Sequence, residues 1–178
     1  MRGINHLSAS ALVLLAIMTT TAHGETSASG FEQFPASSTY KGKPKMPDFD
    51  GRDRDYREYR TRLREGLAEQ PRSNFAGSYN LVDITVTGGI QIAIVESATG
   101  RVKWFDVLPG AWPDHDYAFR KDSRLLLSQW ANGEKCYIDF YEWNGTQLHQ
   151  LGNSVEAPID SEGSCKDKLA NSAHGQPR

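Results

Sequence analysis

Six consecutive residues, Trp112-Pro113-Asp114-His115-Asp116-Tyr117, form the densest set of chemically capable side chains in this chain. Two carboxylates flanking an imidazole could bind a metal ion, or raise the pKa of His115 toward a range useful for acid–base work. Adjacent residues of an extended chain point to opposite faces, so Asp114, His115 and Asp116 would not gather on one ion. Another ligand would have to arrive from a distant segment, and the sequence identifies none. Neither a metal nor a cofactor is therefore expected. Recognition is a more natural use of the segment. Aromatic and acidic groups on a loop held by rigid strands supply a buried anchor and a charged rim. Trp112, Asp114, His115, Asp116 and Tyr117 are accordingly the candidate partner-binding residues. The plainer alternative has Trp112 closing the end of a β core with its polar neighbours in solvent.

The remaining chemistry is sparse. The sequence has no G-x-S-x-G elbow, no H-E-x-x-H, no phosphate loop and no C-x-x-C. Its start has the three parts of a secretory signal peptide: Met1-Arg2, an apolar stretch from Leu7 to Met18, then small residues to Gly24. That stretch is too short to cross a bilayer, which takes roughly 20 helical residues. Cleavage after Gly24 would remove one basic residue, Arg2, and leave a formal charge of −3. Cys136 and Cys165 survive it, and in an oxidising compartment an even pair forms a disulfide. Closing a loop of about 30 residues stabilises a fold by roughly 3–4 kcal/mol. The mature histidines, His115, His149 and His174, stand in no nucleophile motif, which argues against a catalytic cysteine.

The elements that must position these residues are mainly β. Residues 25–48 are rich in Ser, Pro, Gly, Lys and Thr and read as a flexible, extended arm pinned by an aromatic or two. Tyr56, Tyr59, Leu63 and Leu67 then recur at helical spacing, with arginines and acids between them. Asp53 or Asp50 can cap that helix, and Gly66 followed by Pro71 is expected to end it. The acids neutralise most of the arginine charge, so the outer face reads as solvated and not as a nucleic-acid surface.

Alternating apolar runs follow at Tyr79–Val86 and Ile90–Ile94 around Gly88-Gly89, then Val102–Leu108, Leu125–Trp130, Cys136–Trp143 and Thr146–Leu151. Asn132-Gly133 and Asn144-Gly145 suit tight type I′ hairpins, and Trp104, Trp130, Tyr137, Tyr141 and Trp143 suit core or cross-strand packing. Residues 77–151 span less than two propeller blades, so a closed propeller is excluded. The expected fold is a single antiparallel meander of six or seven strands, as a curled sheet or small sandwich, with one N-terminal amphipathic helix on it. The expected domain covers 49–169, with a disordered tail over 170–178.

Tyr59-Arg60-Thr61-Arg62-Leu63-Arg64-Glu65-Gly66, followed by Asn74-Phe75-Ala76-Gly77-Ser78-Tyr79, resembles a group of small, largely uncharacterised exported bacterial proteins. Their pattern reads Asn-Phe-Ala-Gly-His-Tyr and continues through an Ala-Ile-Val strand and a Thr-Gly turn, as Ala93-Ile94-Val95 and Thr99-Gly100 stand here. The Tyr117 to Leu127 stretch, with Asp122-Ser123-Arg124-Leu125-Leu126, also fits, so the likeness spans about residues 49–148. This chain departs in having Ser78 for the histidine and in lacking paired cysteines around the first hairpin. The resemblance implies an exported domain and carries no activity. In size, export, β content and disulfide use the chain is also similar in type to periplasmic immunity proteins against type VI secreted wall hydrolases.

These readings converge on a non-enzymatic periplasmic or secreted binding protein. The specific expectation is inhibition of, or immunity against, a cell-wall-active enzyme, with a protein partner, no nucleic acid and no membrane span in the mature form. The alternatives are an envelope hydrolase working through Asp114 or Asp116, and a structural envelope domain. A formal charge of −2 on 178 residues and a mean hydropathy of −0.56 exclude a strongly basic nucleic-acid binder and a polytopic membrane protein.

Overall fold

The computed structural model describes residues 30–85, 90–108, 115–160, 164–165 and 168–169. The expected signal peptide, the Gly88-Gly89 turn, Trp112 and Asp114, and the tail from 170 onward lie outside these residues. Among the described residues the architecture is mainly β, with eight strands in two antiparallel sheets and one short α-helix. Strands β1 (Tyr79–Asp83), β2 (Gln91–Glu96) and β3 (Val102–Val107) form the first sheet in sequence order. The second contains β4 (Asp116–Phe119), β5 (Leu125–Asn132), β6 (Lys135–Trp143), β7 (Leu148–Gln150) and β8 (Val155–Pro158). The expected single meander thus breaks between β3 and β4. Ile92 and Ile94 of the first sheet share one core with Leu126, Tyr141 and Trp143 of the second, so the two sheets bury one face against each other.

The opposite face of the first sheet is buried too. Ala93 and Val95 pack under Leu63 and Leu67 of α1 (Arg60–Ala68), which is why Ile92 to Val95 are all fully buried. Pairing slips between Ile94 and Val95: Ile94 opposes Trp104 while Val95 opposes Val102, which leaves Lys103 as a bulge. The extra residue sends Val102 toward the helix and Trp104 into the inter-sheet core. A 3-10 turn over Arg54–Tyr59 leads into α1, so the Tyr56–Leu67 stripe is helical in two parts.

Two helix-boundary expectations are corrected. Asp53 makes no side-chain cap. Its buried carboxylate accepts from the Asp48 and Val102 amides, at 2.9 and 3.1 Å, and so ties the helix entry to β3. Gly66 does not end the helix, which runs two residues further; a Cβ at Gly66 would collide with Val82 Cγ1 on β1. The glycine is there for close approach, not for termination.

The Asn-Gly turns also differ from expectation. Asn132 pairs with Lys135, and Gly133 alone has positive φ, at 62°, so the two-residue turn has the type II′ pattern. Trp143 pairs with Leu148, which makes the second connection four residues long. There the Asn144 Oδ1 accepts from the amides of Thr146 and Gln147, at 2.9 and 3.0 Å.

β7 covers only Tyr141–Trp143, and the Lys135–Ile138 edge of β6 is taken by β8, a strand not expected from the polar sequence past Gly152. Cys136 and Cys165 are joined by a fully buried disulfide, as the pairing argument expects. After a 3-10 turn over Gly30–Gln33, residues 34 to 48 form an extended strap hydrogen-bonded to the turns that border both sheets, through Ala36 to Asp122 and Lys45 to Ser97. Among the described residues no helix is long and apolar enough to cross a membrane.

The Asn74–Tyr79 motif is structural. The Asn74 side chain exchanges two hydrogen bonds with the Leu81 main chain, at 2.8 and 3.0 Å, and so acts as a strand partner for β1. Phe75 is fully buried between the sheets, in an edge-on contact with Phe119. Ala76 and Gly77 both adopt positive φ, at 44° and 76°, and a Cβ at Gly77 would overlap the Ser38 carbonyl of the strap.

Candidate functional site

Along the β5–β6 hairpin the inner face changes character from one end to the other. Leu126 opposes Tyr141 in the core; then Ser128 opposes Asp139, and Trp130 opposes Tyr137. An acid at an inward position within Tyr137-Ile138-Asp139-Phe140-Tyr141 would be costly to bury without partners. Asp139 is 3% exposed, and neutral donors surround it. Its carboxylate accepts from the Trp130 indole at 2.8 Å, from Gln150 at 3.2 Å and from the Ser154 hydroxyl, with the Tyr141 hydroxyl at 3.5 Å. Trp130 stacks on Tyr137 with ring centroids 4.4 Å apart, so the indole that serves Asp139 is held in place from its other side.

His115 enters this cluster immediately before β4. It is 5% exposed, with Nε2 3.0 Å from the fully buried Ser128 hydroxyl. Nδ1 has no hydrogen-bond partner among the described residues. Burial pushes its pKa below the usual value, against the opposing pull of Asp116 and Asp139, so the imidazole is neutral at pH 7. Asp116 points the other way. It pairs across the sheet with Gln129, is exposed, and accepts from the next amide, Tyr117 N–H, at 2.8 Å.

Tyr117 returns to the inner face, half-buried beside Phe119, and its hydroxyl donates to Asp83 at 3.2 Å. Burial first, and then the Asp83 carboxylate, raises its pKa, so the phenol remains a neutral donor.

The structure therefore divides the candidate segment. His115 is buried and not at an exposed rim, because its inward position immediately before β4 carries it under the sandwich. Asp116 and Tyr117 are strand residues, not loop residues. Asp116 and His115 do not converge, in keeping with the alternation argument, and no cluster of three or more metal-ligating side chains occurs among the described residues. Trp112 and Asp114 lie outside the description.

What remains accessible is Asp83, at the edge between the two sheets with the Tyr117 hydroxyl on it, and Asp116 on the outer face of β4. Asp83, Ser128 and Asp139 are missing from the residues expected from sequence. The available signal was a polar residue at an inward position of an alternating strand, at Ser128 and Asp139. Comparison with protein-family models, with curated proteins and with solved structures returns no match.

Proposed function

We propose that this chain is an exported periplasmic binding protein that inhibits, or gives immunity against, a cell-wall-active enzyme. The observation that carries the reading is the acidic–aromatic edge, where Tyr117 is held by Asp83 on the inner face of β4 and the adjoining Asp116 is exposed on its outer face. A rigid, half-buried aromatic with two exposed carboxylates supplies an anchor that loses little entropy on binding, and a negative rim. Basic surfaces are common on enzymes that act on anionic envelopes, and a negative rim steers an encounter with one by complementarity. The apolar segment from Leu7 to Met18 and the buried disulfide support an extracytoplasmic setting. Trp112 and Asp114, which precede this edge in sequence, enter the proposal on their residue types alone.

The test is capture from periplasmic extract, followed by inhibition assays on the purified wall hydrolase that is captured. Asp83→Asn with Asp116→Asn should slow association and weaken its salt dependence. Tyr117→Ala, Trp112→Ala and Asp114→Ala should weaken binding. Full inhibition by all of these variants at low salt would sink the assignment.

A further inference from the structure

The strap carries charge of the opposite sign to the acidic edge. Between Glu32 and Asp48 the chain contains three lysines, Lys41, Lys43 and Lys45, and no acidic residue, although its net charge is negative. All three lysines are exposed, while Gly42 and Pro44 between them are half-buried. None of the three forms a salt bridge among the described residues. Their backbone is fixed. The Tyr40 amide donates to the Gly77 carbonyl at 3.0 Å and the Lys45 amide to the Ser97 carbonyl at 2.9 Å, so the segment is tied at both ends. Pro44 and the buried Pro47 restrict it further. Arg72 adds an exposed cation close by: the Ser73 hydroxyl donates to that of Ser97 at 2.9 Å, which sets residue 72 beside the Lys45 anchor. Of the neighbouring acids, Asp48 accepts from the Gly51 amide at 3.0 Å and Glu96 from the Thr99 hydroxyl.

An apolar surface adjoins these cations. Met46 is 44% exposed, one of two large hydrophobic side chains so exposed among the described residues. It lines an open groove of about 440 Å³ between the strap and the end of α1, with Pro44, Leu67, Ala68 and Pro71, and with Lys43 and Glu69 beside them. An unbranched thioether adapts its shape to whatever covers it. Charge alone would suit any polyanion. Cations flanking an exposed apolar side chain suit an interface that is anionic at its surface and apolar just beneath, which is the profile of a bilayer with acidic headgroups.

We propose that the strap docks on an anionic phospholipid surface, with Lys41, Lys43 and Lys45 meeting the headgroups and Met46 entering the acyl boundary. The strap is tied at the Tyr79–Glu96 end of the first sheet, and Asp83 lies at the other end, about 13 Å along β1. That exceeds the roughly 8 Å screening length at physiological salt, so the acidic edge does not repel the docked surface. The proposal does not depend on the partner-binding edge.

Each lysine at such a surface is worth roughly a fivefold gain in binding, so three give on the order of 100-fold. Co-sedimentation with phosphatidylcholine vesicles containing about one-third phosphatidylglycerol, and with pure phosphatidylcholine vesicles, measures it. The wild-type protein should bind the anionic vesicles at low salt, release them at high salt and ignore pure phosphatidylcholine. Lys41→Gln combined with Lys43→Gln and Lys45→Gln should weaken binding on the order of 100-fold, and Met46→Ser several-fold. No binding to the anionic vesicles, or an unchanged affinity in the triple variant, would overturn the proposal. Binding of soluble polyphosphate as tight as that of the vesicles, or an unchanged affinity in Met46→Ser, would make the strap a general polyanion site and overturn the lipid assignment. The replaced side chains are exposed, so urea midpoints should match the wild type. Should the triple variant fail to fold, the three single lysine substitutions decide the matter: each should cost roughly fivefold, and three unchanged affinities would overturn the proposal.

Discussion

Replacing Gly66 by alanine separates two accounts of the helix. In an isolated helix the change is stabilising by about 1 kcal/mol, because glycine loses the most backbone entropy. Here the new methyl would lie at ordinary contact from Val82 Cβ and Cγ2, at 3.6 and 3.8 Å, but well inside contact distance of Val82 Cγ1. Val82 is 3% exposed between helix and sheet, and a β-branched side chain has little rotamer freedom with which to yield. Overpacking of this kind costs about 1–3 kcal/mol. Net of the helix gain, Gly66→Ala should destabilise by up to about 2 kcal/mol.

The sign should reverse once the offending methyl is gone. In a Val82→Ala background, Gly66→Ala should stabilise by about 1 kcal/mol, with a coupling energy of about 1–3 kcal/mol between the sites. Urea denaturation of the four proteins measures this, with stability read from the midpoints at constant m-value. An increase in stability on Gly66→Ala in the wild-type background, or additivity in the cycle, would refute the close seating of α1 on β1.

Three further outcomes are expected. Replacing Cys136 and Cys165 by alanine should cost about 3–4 kcal/mol from the lost closure of a loop with a separation of 29 residues. It should also expose the segment around Leu169 to protease, while an unchanged midpoint would show that the bridge does not constrain the unfolded chain. Burial holds His115 below its ordinary value of 6.5, so the unfolded chain takes up that proton first as pH falls. The contribution of neutral His115 is therefore complete above about pH 6.5 and is lost as pH falls through the folded value. His115→Gln should flatten the slope of stability against pH below about 6.5, and parallel slopes would contradict the assignment. Of the two Asn-Gly sequences, exposed Asn132 should deamidate ahead of Asn144, whose carboxamide is held by the Thr146 and Gln147 amides. Peptide mass mapping after prolonged incubation reads the order, and equal rates would show that the Asn144 turn gives no protection.

Local pattern was enough to determine the class of this protein. Alternation marked the cores of β1, β2, β3, β5 and β6, because a strand with a buried face repeats every two residues wherever it sits. Helical spacing marked Tyr56, Tyr59, Leu63 and Leu67 for the same reason, and an even cysteine pair was enough to name its own bridge. β4 and β8 were not legible. Their four residues each carry little periodicity, and they form because a neighbouring edge is left open: β5 for one, the Lys135–Ile138 stretch of β6 for the other.

Tertiary contact alone decided the rest, because those features depend on partners far away along the chain. Gly66 looks like a helix stop until Val82 is placed against it, and Asp53 looks like a cap until the Val102 amide arrives. The same holds for the candidate site. Trp112 to Tyr117 read as one exposed cluster, yet the start of β4 sends His115 beneath the sandwich to Ser128, leaves Asp116 in solvent and brings Tyr117 to Asp83. Residue types stated which chemistry was possible, and the pairing of sheets fixed which of those groups can meet.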